Sequence, residues 1–279
     1  MPEARLHDGS TIEIEIAGEG PTLLLPVNPR PIEGPQAEEM RKYGTDPALG
    51  QSLIKGLSDV FRVVAFDYEG QCLSTPKPDT LTPANVASDL LAVADAAGAK
   101  QFAYYGYSWL AVIGLQLAIR TDRLSALIMG GFPPLHGPYV EMLRITTATY
   151  EMVSKPSSEV QTSLDPDEAE WSGVSLSKDQ TQQFVTLYQA LQRFDDQAAQ
   201  TQITCPRLCF VGSADEIQYG KSWDNVHISL AGPIVRGRGQ LEDLGWDVQV
   251  LDGLDHIQAM QATTVVPILR SWLAPKLGS

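Results

Sequence analysis

Gln101-Phe102-Ala103-Tyr104-Tyr105-Gly106-Tyr107-Ser108-Trp109-Leu110 is the stretch around which the rest of the chain is organised. Phe102 to Tyr105 are apolar or aromatic without alternation, the pattern of a strand buried on both faces in a parallel sheet. Beyond Ser108 the spacing predicts a helix from about Trp109 to Arg120. Ser108 therefore falls on a tight turn between strand and helix, its hydroxyl lifted above the strand ends. Gly106, two residues earlier, removes a Cβ where the two backbones must approach closely. The helix start also offers free N–H groups to a developing oxyanion. A serine at such a junction can equally be a plain helix cap, so its chemistry depends on partners elsewhere.

Outward from this turn, strands and helices alternate. Thr22-Leu23-Leu24-Leu25 and Arg62-Val63-Val64-Ala65-Phe66-Asp67 read as buried strands on the N-terminal side. A helix is expected around Leu49 to Leu57. Another starts at Thr82-Pro83, carries Val86, Leu90, Leu91 and Ala94 at helical spacing, and ends at Gly98. Leu6 to Ile16 alternates around Asp8-Gly9 as a hairpin does, and a proline-rich loop follows Leu25. On the C-terminal side Ala126 to Met129, Arg207 to Val211 and Trp246 to Leu251 read as strands, with a last helix over Thr263 to Leu273. This order predicts an α/β fold with a mostly parallel central sheet and right-handed crossovers.

The alternation breaks between residues 133 and 200. That stretch is polar, helical by pattern, and interrupted by Pro156, Pro166 and Gly173, while Leu187, Leu191 and Phe194 give one helix an apolar side. The expected organisation is a core of residues 1–132 and 201–279 with a helical cap insertion over 133–200.

Only four histidines are available as a base for Ser108. His7 precedes the early hairpin, His136 begins the insertion, and His227 lies in a polar stretch. His256 follows the last strand, and its imidazole titrates near working pH, so it is the expected general base. Asp215, at the carboxyl end of a buried strand, is the expected acid, with Glu216 and Asp255 as alternatives. Ser74 and Ser213 lie in loops without the strand–helix turn and read as turn formers.

These features resemble the α/β-hydrolase family. The Asp8-Gly9 hairpin and Gly20-Pro21 before the first buried strand are similar to family features. Phe66-Asp67-Tyr68-Glu69-Gly70-Gln71-Cys72-Leu73-Ser74 resembles the family's D-x-x-G-x-G-x-S loop. Ser108 to Ala118 resembles its nucleophile elbow and following helix. Cys205-Pro206 leads a strand into Gly212-Ser213-Ala214-Asp215, and Leu254-Asp255-His256 falls where the family places its histidine. The resemblance covers nearly the whole chain apart from the insertion. It implies a serine hydrolase with Ser108 as nucleophile, His256 as base and Asp215 as the orienting acid. The oxyanion donors would be the N–H of Trp109 with that of Val27 or Asn28, and Tyr107 and Phe132 would contact substrate. The chain departs from the family pattern twice: Leu110 replaces the second glycine of G-x-S-x-G, and Pro26-Val27 replaces the usual His-Gly. Leu110 puts bulk where the backbone packs tightly, and the Pro26 loop alters the source of one oxyanion donor.

The implied substrate is a small ester-like carbonyl compound with an apolar portion. Amide or carbon–carbon cleavage shares the same triad, and a ligand-binding or signalling protein with slow or lost turnover is the reading from another class. Serine at the turn argues against an epoxide- or halide-type hydrolase, which places aspartate there. Neither metal nor organic cofactor is required. Cys72, Cys205 and Cys209 are too few and unevenly spaced for a disulfide framework or a zinc site. With 20 Lys plus Arg against 34 Asp plus Glu, the net charge of -14 disfavours nucleic acid. No apolar run reaches the roughly 18 residues of a membrane span, and Met1-Pro2-Glu3-Ala4-Arg5 has no leader pattern, so a cytoplasmic location is expected. The oligomeric state is not specified.

Overall fold

A computed structural model describes residues 2–155 and 176–278. Its strands are β1 (Glu3–Arg5), β2 (Thr11–Glu13), β3 (Glu15–Ala17), β4 (Thr22–Leu25), β5 (Arg62–Ala65), β6 (Phe102–Tyr107), β7 (Leu124–Gly130), β8 (Arg207–Gly212), β9 (Glu216–Gln218), β10 (His227–Ser229) and β11 (Trp246–Leu251). The described helices are α1 (Pro35–Lys42), α2 (Leu49–Leu57), α3 (Tyr68–Ser74), α4 (Pro83–Ala96), α5 (Trp109–Ala118), α6 (Tyr139–Ser154), α7 (Lys178–Leu191), α8 (Asp196–Ala199), α9 (Ala231–Arg236), α10 (Arg238–Asp243), α11 (His256–Ala259) and α12 (Ala262–Leu277).

Seven strands form the main sheet in the order β11-β8-β7-β6-β4-β5-β3. All neighbours are parallel except β3, which runs antiparallel to β5 at one edge. Strand alternation divides the core into two layers. Leu24, Val64, Tyr104, Leu127 and Cys209 face α4 and α5. Leu23, Val63, Ala103, Ala126 and Leu208, one residue earlier in each strand, face α2 and α12. Burial on both faces is why these strands read as continuous apolar runs. The α5 helix is buried at all ten of its residues, so it carries no amphipathic signature.

Local chemistry sets the helix ends as expected at two places. The Thr82 hydroxyl accepts from the Asn85 N–H at 3.3 Å, with Pro83 behind it, and Gly98 follows α4 at φ 68. Three differences from the sequence reading have physical causes. The loop expected after Leu25 contains α1, a surface helix started by Pro35 that buries only Ala37 and so shows no apolar stripe. The D-x-x-G-x-G-x-S segment is not a loop but helix α3, capped by the Asp67 carboxylate on the Gly70 N–H at 2.9 Å. The polar stretch after Asp215 contains the β9–β10 hairpin, three residues per strand, too short for periodicity to reveal.

Within residues 133–155 and 176–200 the described helices are α6, α7 and α8. Leu187 and Leu191 are buried on α7, with Phe194 packed alongside them. Pro156, Pro166 and Gly173, expected to interrupt this insertion, lie outside the described residues.

Candidate active site

The central strand β6 delivers Ser108 to the turn before α5. Ser108 has φ 55 and ψ -131, a left-handed conformation that a non-glycine residue adopts at a cost of about 1–3 kcal/mol. Its N–H is tied to the Gly130 carbonyl at 2.9 Å across the sheet. The close approach predicted for Gly106 is present: a Cβ there would lie 2.2 Å from the Leu110 carbonyl oxygen. That same oxygen accepts from the Tyr104 hydroxyl at 2.8 Å. Gly114 supplies the next contact, since a Cβ there would meet the Tyr104 ring at 2.7 Å. Strand and helix therefore touch through Gly106 and Gly114, and the Leu110 side chain joins a cavity wall instead of prising them apart.

That cavity has a volume of about 190 Å³. Ser108 and His256 both line it, with Tyr107, Trp109, Val27 and the apolar side chains of Leu25, Leu49, Leu53, Leu110 and Met260. The sequence reading did not anticipate its two acidic members, Asp67 and Glu69. Both belong to the segment similar to the family's D-x-x-G-x-G-x-S loop, which the sequence reading did not place at the site.

His256 is brought to the site by the loop after β11. Gly212 makes this possible, because a Cβ there would lie 2.0 Å from the Leu254 carbonyl oxygen. His256 Nδ1 pairs with Asp215 Oδ2 at 2.8 Å, and Asp215 is fully buried. The second Asp215 oxygen, Oδ1, has no hydrogen-bond partner. The other acids point elsewhere. Glu216 pairs with His227 at 3.1 Å and accepts from the Ser229 hydroxyl at 2.7 Å. Asp255 caps α11 by accepting from the Gln258 N–H at 2.8 Å. Tyr107 donates its hydroxyl to the His256 carbonyl at 2.7 Å, and the two rings lie 5.0 Å apart. Burial raises the Tyr107 pKa far above its ordinary range, so it stays a neutral donor.

Of the residues expected at the oxyanion and substrate positions, Trp109 and Val27 line the cavity. Trp109, first in α5, has a main-chain N–H with no acceptor inside the helix. The Val27 N–H is already used on the Leu25 carbonyl at 2.9 Å. Among the described residues the Asn28 N–H has no intramolecular acceptor, and the Asn28 carbonyl is pressed against Gly50, where a Cβ would approach to 1.9 Å. Asn28 itself borders a neighbouring groove that shares Asp67 with the Ser108 cavity. Phe132 does not line the cavity: it is 1% exposed and packed against the tilted Tyr139 ring in the core.

Burial raises the Asp67 pKa, against the lowering effect of the Gly70 N–H. For Glu69 burial is again the main cause of a raised pKa, reinforced by the Asp67 carboxylate and opposed by the Trp109 indole N–H. Glu69 itself is solvent-exposed at the cavity wall. Among the described residues no group of three or more His, Cys, Asp or Glu could hold a metal ion. No described helix is long and apolar enough to cross a membrane.

Residues 46–212, more than half of the chain, match the alpha/beta hydrolase fold family. The chain belongs to that family. A strigolactone esterase of Arabidopsis thaliana is 34% identical to this α/β-hydrolase chain over 101 residues, a match covering 33% of this chain and 36% of that protein. The fold of the hydrolase chain is shared with a malate-bound thermophilic esterase from Thermogutta terrifontis: TM-score 0.64, 18% identity, and 99% and 98% coverage of the two chains. An enol-lactonase from Burkholderia xenovorans is similar at TM-score 0.61 and 18% identity, with 98% of this chain and 99% of that one covered.

Proposed function

We propose that this chain is a serine hydrolase cleaving a small ester-like carbonyl compound through an acyl-enzyme on Ser108. The observation that carries the reading is the shared cavity of Ser108, held at φ 55, and His256, paired at 2.8 Å with fully buried Asp215. Strain at a serine hydroxyl beside an oriented imidazole is how a weak nucleophile is made available.

In this mechanism His256 Nε2 takes the Ser108 proton as Oγ bonds to the carbonyl carbon. Asp215 holds the proton on Nδ1 and stabilises the imidazolium. The main-chain N–H groups of Trp109 and Asn28 receive the oxyanion, a contribution of about 3–4 kcal/mol for each well-placed donor. Collapse breaks the bond to the leaving alcohol, which takes the proton from His256. Water then gives a proton to His256 while attacking the acyl carbon, and Ser108 Oγ leaves reprotonated.

The cavity is smaller than the roughly 300–1,000 Å³ of typical drug-sized sites. Its walls of Leu25, Leu49, Leu53 and Met260 suit a short apolar acyl group. Residues 133–200 serve in this proposal as a cap over the core. The test is hydrolysis of p-nitrophenyl esters of graded chain length. Short esters should turn over, with a loss on the order of 10⁶-fold in Ser108→Ala and in His256→Ala. Turnover unchanged by Ser108→Ala would remove the proposed nucleophile.

A further inference from the structure

We propose that Gln261 is a positioning residue for the Ser108 site: its side-chain amide fixes the wall that carries the Asn28 loop relative to the helix that carries His256. The brace is read from hydrogen bonds alone, and its effect on rate rests on the proposed function.

The two halves of the site come from distant parts of the chain. On one side the Asn28 loop is built onto the start of α2. Its Ile32 N–H donates to the Pro47 carbonyl at 2.9 Å, and the Asn28 carbonyl is pressed against Gly50. Asn28 Oδ1 accepts from the Arg30 N–H at 3.0 Å, which closes the turn. The same helix supplies Leu49 and Leu53 to the cavity. On the other side α11 begins with His256, and Met260 follows it into the cavity wall.

Gln261 spans the gap between them. Its Oε1 accepts from the Asp46 N–H at 3.1 Å, 215 residues away in sequence, and its Nε2 donates to the Ile257 carbonyl at 2.7 Å. One planar amide thus ties the start of α2 to α11. Asp46 passes the constraint on, because its carboxylate accepts from the Ala48 N–H at 2.8 Å and from the Ser52 hydroxyl at 2.9 Å. Ala48, at the helix start, offers no side-chain cap of its own. The far end of α2 is held differently, by Arg270 on the Gly56 carbonyl at 2.9 Å and by Val266 packed against Gly56. Among the described residues no other hydrogen bond joins residues 45–55 to residues 252–262. With the far end anchored, losing the Gln261 bridge frees the α2 start to open locally, and Asn28 then shifts against His256. Misplacement of reacting groups by about 1 Å costs on the order of 10²-fold in rate.

The test compares wild type with Gln261→Met, which keeps the length of the side chain and makes neither hydrogen bond. Trp272→Phe is the control, since it removes a hydrogen bond of α12 to Asp247, 2.6 Å long, that lies outside the cavity. Amide hydrogen exchange, read by NMR, should quicken at least about threefold at Arg30 and Ile32 in Gln261→Met. Gln261 bonds to neither residue, so the change must pass through α2. On p-nitrophenyl butyrate the same variant should lose about tenfold in kcat per folded molecule, with KM within about twofold. Trp272→Phe should leave both readings as in wild type. Unchanged exchange at Arg30 and Ile32, an unchanged kcat, or equal effects of Trp272→Phe would each overturn the proposal. A wild type that hydrolyses no ester and resists a fluorophosphonate at Ser108, while Gln261→Met still quickens exchange at Arg30 and Ile32, would sink the hydrolase reading and leave the brace standing.

Discussion

Two histidine–aspartate pairs in this molecule have nearly identical first contacts and opposite surroundings. His256 Nδ1 meets Asp215 Oδ2 at 2.8 Å, and His7 Nδ1 meets Asp89 Oδ2 at 2.8 Å. Both aspartates are fully buried, and the histidine side chains are 20% and 12% exposed. His7 even has a hydroxyl on its other nitrogen, Thr80 Oγ1 at 3.1 Å. The aspartates differ. Asp89 accepts from the His7 main-chain N–H at 2.6 Å and from the Tyr68 hydroxyl at 2.7 Å as well, so both its oxygens are used. Asp215 leaves Oδ1 without a partner, and its charge is directed at one imidazole. Thr80 is exposed and has ordinary backbone geometry, whereas Ser108 is strained and opens on a cavity. A hydroxyl–imidazole–carboxylate grouping therefore occurs twice in the fold. What distinguishes the Ser108 site is an under-satisfied acid, backbone strain and an adjoining cavity.

The largest expected contrast comes from changing each acid to its amide. Asp215→Asn should lower kcat for a short p-nitrophenyl ester on the order of 10⁴-fold, because the amide favours the wrong imidazole tautomer. Its effect on the denaturation midpoint should be small by comparison. A modest loss of kcat would mean that His256 is oriented by its backbone clamp and not by Asp215.

Asp89→Asn should do the reverse. One amide oxygen cannot serve three donors, so the expected cost is about 2–3 kcal/mol of stability, read from urea unfolding. Activity per folded molecule should stay within about twofold, since the pair lies outside the Ser108 cavity. A fall in kcat as large as that of Asp215→Asn would make the two pairs functionally equivalent and break the comparison.

The His256–Asp215 pair was legible in the sequence and the His7–Asp89 pair was not. Ser108 and His256 sit at strand ends whose apolar runs are long enough to recognise, and the sheet topology then brings those ends together. Asp215 was one of three candidate acids in the sequence, and only the structure shows it paired with His256 while Glu216 and Asp255 have other partners. His7 and Asp89 are 82 residues apart, on a hairpin and on the buried side of α4. No periodicity marks such a partner, because a buried aspartate on an apolar helix face looks like an interruption. Asp67 and Glu69 escaped for another reason: a polar segment read as a loop is a helix whose cap and first turn face the cavity. Phe132 shows the converse error, an aromatic near the site in sequence that the core absorbs.

Tyr107 sharpens the comparison at a smaller scale. Its hydroxyl holds the His256 carbonyl, a clamp to which the His7 pair has no counterpart. Tyr107→Phe keeps the ring against Phe210, 6.1 Å between centroids, and removes only the hydrogen bond. The expected loss is about 1 kcal/mol, appearing as roughly a fivefold lower kcat with KM little changed. An equal change in KM would assign the hydroxyl to substrate contact, as first expected from the sequence.

The smallest effect concerns the hairpin that carries His7. Next to it, Lys77 is 2% exposed and pairs with Asp8 at 2.6 Å. Burial alone would raise the Asp8 pKa, but hydrogen bonds from Lys77 and Ser10 outweigh it and bring the value to about 2. A depressed carboxylate contributes stability that is fully present above its unfolded value of about 3.9 and is lost as pH falls toward about 2. Asp8 is open to solvent, so screening reduces the contribution to on the order of 1 kcal/mol. Urea midpoints of wild type should therefore decline between about pH 4 and pH 2 more steeply than those of an Asp8→Asn/Lys77→Met double variant. Changing both partners matters, because Asp8→Asn alone would leave the Lys77 ammonium buried and unpaired. Parallel curves would show that the hairpin is held by His7 and Asp89 without measurable help from this ion pair.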